Sequence, residues 1–400
     1  MKKSTLLFSA ILMLAFAATA QAQYQVGNSN FETTWTNTNE PGNGWYSFVS
    51  GGGDMASLGI TFSKGNTKST TGRNGGTAAQ LTSSSILRQK ANGNLTTGKI
   101  NLGSTTPSAT SNYNYTARGT ANSCVFTGRP DSLVYWAKFT RGGSGTYVGR
   151  AKAIIHGNFD YKDPYETTAN EAAYKIGECI VNAAVASSWT RFSAPFTYTG
   201  VDTALVSYLL VTFTTNPTPG GSSGDTFVID DIEFIYNSGI KTIKVNGTPL
   251  AGFDPNTYSY DIDEIYQAGT LTANGKSASS KVNDPYGPAY RRTLAATATN
   301  IEVEDNTAYG AADVSGEYDA TTFQYKLTVK GQDYSSNPSN VHTYTLQFLD
   351  PATGIDQIST DADATGKQQG TFDLQGRRIS DTKHLPAGVY VVNGKKTLVK

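Results

Sequence analysis

Two carboxylates stand side by side in Phe227-Val-Ile-Asp-Asp-Ile-Glu-Phe-Ile-Tyr236, a run otherwise dominated by β-branched and aromatic residues. Asp230 and Asp231 need partners in such a strand, because an unpaired buried carboxylate is costly. A second group of acids, Asp160, Asp163, Glu166, Glu171 and Glu178, falls in the loop expected between two strands. Glycoside hydrolysis needs two facing carboxylates, roughly 5 to 9.5 Å apart. Five loop acids satisfy the residue requirement, and they equally describe a solvated surface. A third group suits sugar binding, in which a ring stacks on the apolar face of the sugar and polar groups meet its hydroxyls. Trp136, Trp189, Tyr161 and Tyr165 supply rings, and Lys138, His156, Asp160 and Arg191 supply polar contacts. The competing reading puts the tryptophans in the core, where Trp45 is assigned, and makes Lys138, Lys152 and Arg191 a solvated face.

Other chemistries lack their residues. The three histidines, His156, His342 and His384, sit in neither a Gly-x-Ser-x-Gly nor a His-Glu-x-x-His context. Two cysteines, Cys124 and Cys179, give no zinc-site density. An oxidising compartment would permit a bridge between them, and two buried thiols are the alternative. Gly51-Gly-Gly53 and Gly220-Gly221 are loop composition, with no strand–loop–helix context for a phosphate. Lys+Arg and Asp+Glu are equal at 32 each, so no basic excess points to nucleic acid.

The elements that must hold these side chains are strands. Alternating runs occur at 78–81, 124–126, 133–139, 151–156, 179–185, 189–198, 205–213 and 227–236, separated by Gly, Asn, Ser and Pro clusters. Regular short strands of this kind predict a sandwich or jelly roll. Thr167 to Lys175 is the one helix-like segment. Period-2 alternation puts Leu133, Tyr135, Ala137 and Phe139 on a core face, and Val134, Trp136 and Lys138 opposite. It puts Ala151, Ala153 and Ile155 inward, with Arg150, Lys152, Ile154 and His156 outward. Thr190, Phe192, Ala194 and Phe196 face inward, and Trp189, Arg191 and Ser193 outward. If these strands are neighbours, their outer faces make one platform of rings and donors.

Residues 23–237 therefore read as one all-β unit. Asn28-Ser-Asn-Phe-Glu32, Gly44-Trp45 and the closing Ile229-Asp-Asp-Ile232 resemble the frame of jelly-roll carbohydrate-binding modules. The ordered set is more particular: Gly128-Arg-Pro-Asp-Ser-Leu133, then Trp136-Ala-Lys-Phe139, then Trp189-Thr-Arg-Phe-Ser-Ala-Pro-Phe-Thr-Tyr198. It is similar to the PCMD family, the jelly-roll carbohydrate-metabolism domains of secreted bacterial proteins. The resemblance implies contact with a poly- or oligosaccharide. Related jelly-roll modules hold a structural Ca²⁺, which here implies Glu32 and Asp231 as ligands, with Asp230 as substitute. The alternative is that Asp230 and Asp231 accept hydrogen bonds from loop amides.

The 400 residues leave room for further units. Met1-Lys-Lys3, an apolar Leu6 to Ala17 and Ala20-Gln-Ala22 predict a signal peptide over 1–22 and export. No run predicts a transmembrane segment. Residues 238–350 read as a second sandwich, opening on Gly239-Ile-Lys-Thr-Ile-Lys-Val-Asn-Gly247 with a hairpin turn. It resembles the cadherin-like or immunoglobulin-like sandwiches of bacterial surface proteins, although 269–298 departs from that pattern and reads as an insertion. Residues 351–370 read as a linker. The segment 371–400 resembles the C-terminal sorting domain of type IX secretion through Leu385, Gly388 and Tyr390, which implies contact with secretion machinery. The sequence thus favours a secreted or surface-displayed glycan-binding protein at the outer membrane, with no catalytic residues assigned. A glycoside hydrolase using a loop carboxylate pair, and an adhesive surface protein without a small ligand, stay open.

Overall fold

The computed structural model describes residues 23–62, 65–86, 88–201, 207–266, 291–294, 299–350, 370–373, 378–379, 385–392 and 395–399. The expected leader, most of the 269–298 insertion, nearly all of the linker and the Asn393-Gly394 turn lie outside the described residues. The fold is all β; its helices among the described residues are short, the longest being the seven-residue Thr168–Tyr174, where the sequence predicts one.

Eight strands build the first sandwich: β1 (Ala78–Thr82), β2 (Asn94–Thr96), β3 (Ser132–Thr140), β4 (Gly149–His156), β5 (Lys175–Ala183), β6 (Ala186–Pro195), β7 (Tyr208–Thr214) and β8 (Thr226–Ile235). One sheet runs β1-β8-β3-β6 and the other β2-β7-β4-β5, all antiparallel. First and last strands lie side by side, and every consecutive pair except β4 and β5 changes sheet. That connectivity is a jelly roll. Asn66–Ser69 extends the first sheet beyond β1, and Thr197–Tyr198 extends the second beyond β5.

The alternation read from sequence sets the core. Tyr135, Ala137 and Phe139 of β3 meet Ala151, Ala153 and Ile155 of β4 and Phe213 of β7, all fully buried. Small alanines opposite large rings let the two faces interdigitate at close-packed density. Trp45 is buried as expected, its ring 5.8 Å from both Phe31 and Phe213, with its indole N–H donating to Gly27 O. The Tyr135 hydroxyl donates to Val181 O at 3.1 Å and ties one sheet to the other.

Strand β8 is bulged at the acid pair. Asp231 has φ +45°, and the pairing register slips between Asp230 and Glu233. The extra residue lets Ile229 and Ile232 both point into the core while the two aspartates stay together outside.

A second sandwich follows. Ile240–Val245, Thr248–Pro249, Ile301–Asp305 and Arg291–Leu294 form one sheet. Ser259–Ile265, Val341–Leu349, Gln324–Lys330 and Asp313–Asp319 form the other, with the first pair parallel. Ile243, Val303, Leu327, Tyr344 and Leu346 fill a core of its own. Asn246 and Gly247 both have positive φ, the geometry of a two-residue hairpin turn. Thr371–Phe372, Arg378–Ile379, Gly388–Val392 and Lys395–Val399 make a small terminal sheet. No helix among the described residues is long and apolar enough to cross a membrane.

The structure corrects the strand reading in two places. The 124–126 run is no strand; it makes a single bridge, Val125 to Tyr208. Of the two alternatives left open for the cysteines, the structure has free thiols, Cys179 buried and Cys124 partly so. Strands at Asn66–Ser69, Asn94–Thr96, Lys99–Leu102 and Asn112–Tyr115 went unread because Asn, Thr, Lys and Tyr alternate there with too few aliphatic residues. The Tyr135 tie gives a direct test. Tyr135→Phe should cost about 1 kcal/mol in urea unfolding by losing one hydrogen bond, and Tyr135→Ala about 3–5 kcal/mol by opening a cavity.

Candidate functional site

A three-stranded sheet, Lys162–Asp163 beside Asn112–Tyr115 beside Lys99–Leu102, lies over part of the outer face of the β2-β7-β4-β5 sheet. It is tied down by Asn94 Nδ2 donating to Asn114 Oδ1 at 3.0 Å. At one end it covers Ile154, Leu210 and Tyr161, which form a small dry cluster. At the other end the layers part around a cleft of 290 Å³. Its apolar wall is Phe48, Ile100 and Leu102, which pack together. Tyr113 and Tyr165 add rings, and Asn92, Asn94, Asn112, Asn114, Asn216, Thr212 and Thr214 add polar groups. Arg150, Lys152 and Asp163 supply its charges.

The local structure holds these groups in place. Asn112 accepts from Gly103 N and Ser104 N and donates to Ser104 O and Thr106 O, which fixes the loop along one side. The Tyr165 hydroxyl donates to Ser108 O at 3.0 Å, so the exposed ring is braced on its far end. Four polar atoms of the lining, Asn92 Oδ1, Asn94 Oδ1, Arg150 Nε and Asn216 Nδ2, have no hydrogen-bond partner within the protein. Such atoms are uncommon in folded interiors and mark a place where the fold has left hydrogen-bonding capacity unspent.

The loop acids are all engaged. Lys152 Nζ lies 2.8 Å from Asp163 Oδ1 and 3.3 Å from Glu178 Oε2. Burial depresses the Lys152 ammonium pKa, but Asp163 and Glu178 more than offset this and hold it above its usual value. Glu171 accepts from the Tyr161 hydroxyl and pairs with Lys175, and Asp160 pairs with Arg118 at 2.7 Å. Glu166 accepts from Lys162 N, Thr167 N and Asn170 Nδ2 and organises the start of the helix. These five acids do not share one loop: Asp163 and Glu178 lie in strands and Glu171 in the helix.

The expected platform divides in two. Trp136, Lys138, Trp189 and Arg191 do share one outward face, on β3 and β6, with Arg191 paired to Trp136 across the strands. That face belongs to the β1-β8-β3-β6 sheet, so the whole core separates it from the cleft. Both tryptophans are half-buried, and cations lie over their rings. The Arg73 guanidinium sits 3.8 Å from the Trp136 ring centre, and Lys138 Nζ sits 4.5 Å from that of Trp189. A ring face covered in this way is engaged in cation–π contact.

His156 and Tyr161 are corrections. His156 points off the core face as read, but a second layer buries it completely. Its ring stacks between Tyr161 and Tyr208, Nε2 meets Thr116 Oγ1 at 2.8 Å, and Nδ1 meets Gly157 O at 2.9 Å. Burial pushes its pKa down to about 4. Tyr161 is buried beside it, so neither reaches a ligand. Of the predicted sugar contacts, Tyr165 alone lines the cleft.

The three acids expected to hold calcium do converge, on the loop from Arg73 to Thr77. Asp230 accepts from Arg73 N at 2.8 Å and Asp231 N at 2.9 Å. Glu32 accepts from Thr77 N at 2.8 Å, so close to Gly76 that a Cβ there would collide with the carboxylate. Asp231 Oδ2 takes the Arg73 guanidinium at 2.6 Å. The residues as placed do not fit a cation: Arg73 supplies the positive charge, and backbone amides take the carboxylate oxygens that a cation would need. Burial raises the Asp230 pKa to about 6, the two amides pull it down, and Asp231 and Glu32 push it up.

No protein-family model matches the sequence, and no curated protein matches it. Among solved structures, the chain is similar to the enzymatically active domain of tailspike protein 4 of bacteriophage CBA120. The identity is 13% and the TM-score 0.24, over 42% of this chain and 17% of that one. It is also similar to the arabinose-bound α-L-arabinofuranosidase MgGH51. There the identity is 10% and the TM-score 0.28, over 52% of this chain and 25% of that one. The chain spans a quarter or less of either protein, and likeness at these TM-scores carries no argument about it.

Two buried groups titrate in opposite senses. His156 stays neutral to about 4 when folded, against 6.5 for a free imidazole, so its contribution is complete above 6.5 and is lost as pH falls toward 4. Asp230 keeps its proton to about 6, against 3.8 for a free carboxyl, so its contribution is present below 3.8 and lost as pH rises through 6. Unfolding free energies across this window should show the acid-side loss shrink in His156→Gln and the loss on raising pH shrink in Asp230→Asn. A separate melt addresses calcium: excess EDTA should leave the thermal midpoint unchanged, whereas Arg73→Gln should lower it.

Proposed function

We propose that this chain is a glycan-binding protein of the cell exterior that holds an oligosaccharide in the cleft beside β4 and β7. One observation carries the reading: a 290 Å³ cleft with the exposed ring of Tyr165 beside a wall of asparagines and threonines. A sugar offers the complement, an apolar ring face and a fringe of hydroxyls. The volume matches the lower end of small-ligand pockets, about 300 Å³. The PCMD resemblance of the first unit points the same way.

The protein binds without cleaving. Glycoside hydrolysis asks for an acid that carries a proton and a second carboxylate facing it. In the cleft Asp163 is held by Lys152, which also takes Glu178, so both acids of the nearest pair are already committed to ion pairs. The second sandwich spaces the first from the cell. The leader-like residues 1–22 and the Leu385, Gly388 and Tyr390 pattern support export and sorting to the outer membrane.

Glycan-array screening followed by calorimetry tests the reading. A bound oligosaccharide is expected, with affinity lowered about tenfold in Tyr165→Ala or Asn94→Ala by loss of one stacking or hydrogen-bonding contact. Trp136→Ala should leave affinity unchanged, and no reducing sugar should be released. Binding that depends on Trp136 and not on Tyr165 would move the site to the opposite sheet. No binding at all would leave an adhesive scaffold.

A further inference from the structure

We propose that the glycan held in the cleft is acidic, and that its acid group seats on the guanidinium of Arg150. This rests on the glycan-binding reading and narrows it. Arg150 opens β4 on the outer face, level with Asn182 of β5 and Thr214 of β7, and lines the cleft. Lys152, two residues on, shares that face.

The two cations differ in their partners. Lys152 is ion-paired with Asp163 and Glu178. Arg150 has no carboxylate within ion-pair distance among the described residues. Its one hydrogen bond there is from Nη1 to Pro217 O, and at 3.4 Å it is long; its Nε is buried with no partner. With Nε buried, the two Nη groups are the donors left to an incoming anion, an end-on planar fork that a carboxylate or sulfate meets with two parallel hydrogen bonds, whereas a hydroxyl meets one. Among the described residues Asp163 is the one acid that lines the cleft, and Lys152 is paired with it. An incoming anion therefore meets an unpaired cation without a competing free carboxylate. Tyr165 and the asparagines remain for the sugar ring and hydroxyls beside it.

The test is calorimetry on the full chain with three probes: an oligogalacturonate, its methyl ester and a sulfated oligosaccharide of similar length. The oligogalacturonate should bind at least tenfold more tightly than its ester, the size of one charge-assisted bidentate contact. Arg150→Gln should bring that ratio to about one while the ester still binds, and Arg150→Lys should keep part of it. A sulfated probe that gains as much and loses as much with Arg150→Gln assigns the anion to sulfate, still seated on Arg150. If ester and acid bind alike, or if Arg150→Gln leaves the ratio intact in a variant that melts normally, the proposal is overturned and the glycan-binding reading stands. Failure of every probe, together with a blank glycan array, overturns both.

Discussion

Strand β4 is covered on both sides over half its length and on one side over the rest, and the site exists because of that difference. Inward, Ala151, Ala153 and Ile155 are small enough to let the rings of the facing sheet approach. Outward, Ile154 and His156 lie under a second layer with Tyr161 and Leu210, while Arg150 and Lys152 emerge where that layer lifts away. A strand with apolar residues at both outer ends would have closed the gap by packing. A strand with charges at both ends could not have carried the layer, since buried charge needs a partner at every position. The switch from apolar to basic within one face makes a lid at one end and a cleft at the other.

Much of this was legible. Alternation identified the inward residues of β3 and β4, because a sheet with one apolar face admits only one register. It also placed Trp136 and Trp189 outside the core, against the usual preference of tryptophan. The layer over the second sheet was not legible. Its strands are short: Lys99–Leu102 has only Ile100 and Leu102 as an apolar face, and Asn112–Tyr115 alternates Asn with Tyr and has no aliphatic residue. Without that layer in view, His156 and Tyr161 read as accessible, and the asparagines of the cleft carried no signal beyond a local density of Asn and Tyr. The position of Arg73 was equally hidden, because a loop brings it to Trp136, whereas Lys138 was read on the correct face and only its reach over Trp189 was not.

The acid pair shows how a strand can answer its charges with partners from the chain itself. The bulge at Asp231 turns both carboxylates to one side, and a single loop answers them with backbone amides and one guanidinium. The same Arg73 then spends its flat face on Trp136. One residue thus discharges the electrostatic cost of the bulge and covers the ring beside it. Both aspartates and the Trp136 ring are thus engaged by contacts within the chain, whereas four polar atoms of the cleft lining are not.

The joint between the sandwiches extends the same logic. Asp131, just before β3, accepts from Asn237 N at 2.7 Å and also from Ala308 N of the second unit. Arg129 N donates to Gln332 Oε1 at 2.7 Å, and Tyr198 packs on Tyr309 with ring centres 4.8 Å apart. Burial raises the Asp131 pKa, and the two amides oppose the shift. The joint lies at the ends of β3 and β8, whereas the cleft is built from β4, β7 and the layer above them. Because the two share no strand, the second sandwich can be fixed to the first without constraining the walls of the cleft. The contacts that join the two sandwiches and the groups that line the cleft, Arg150, Tyr165 and the asparagines among them, are therefore separate sets of residues.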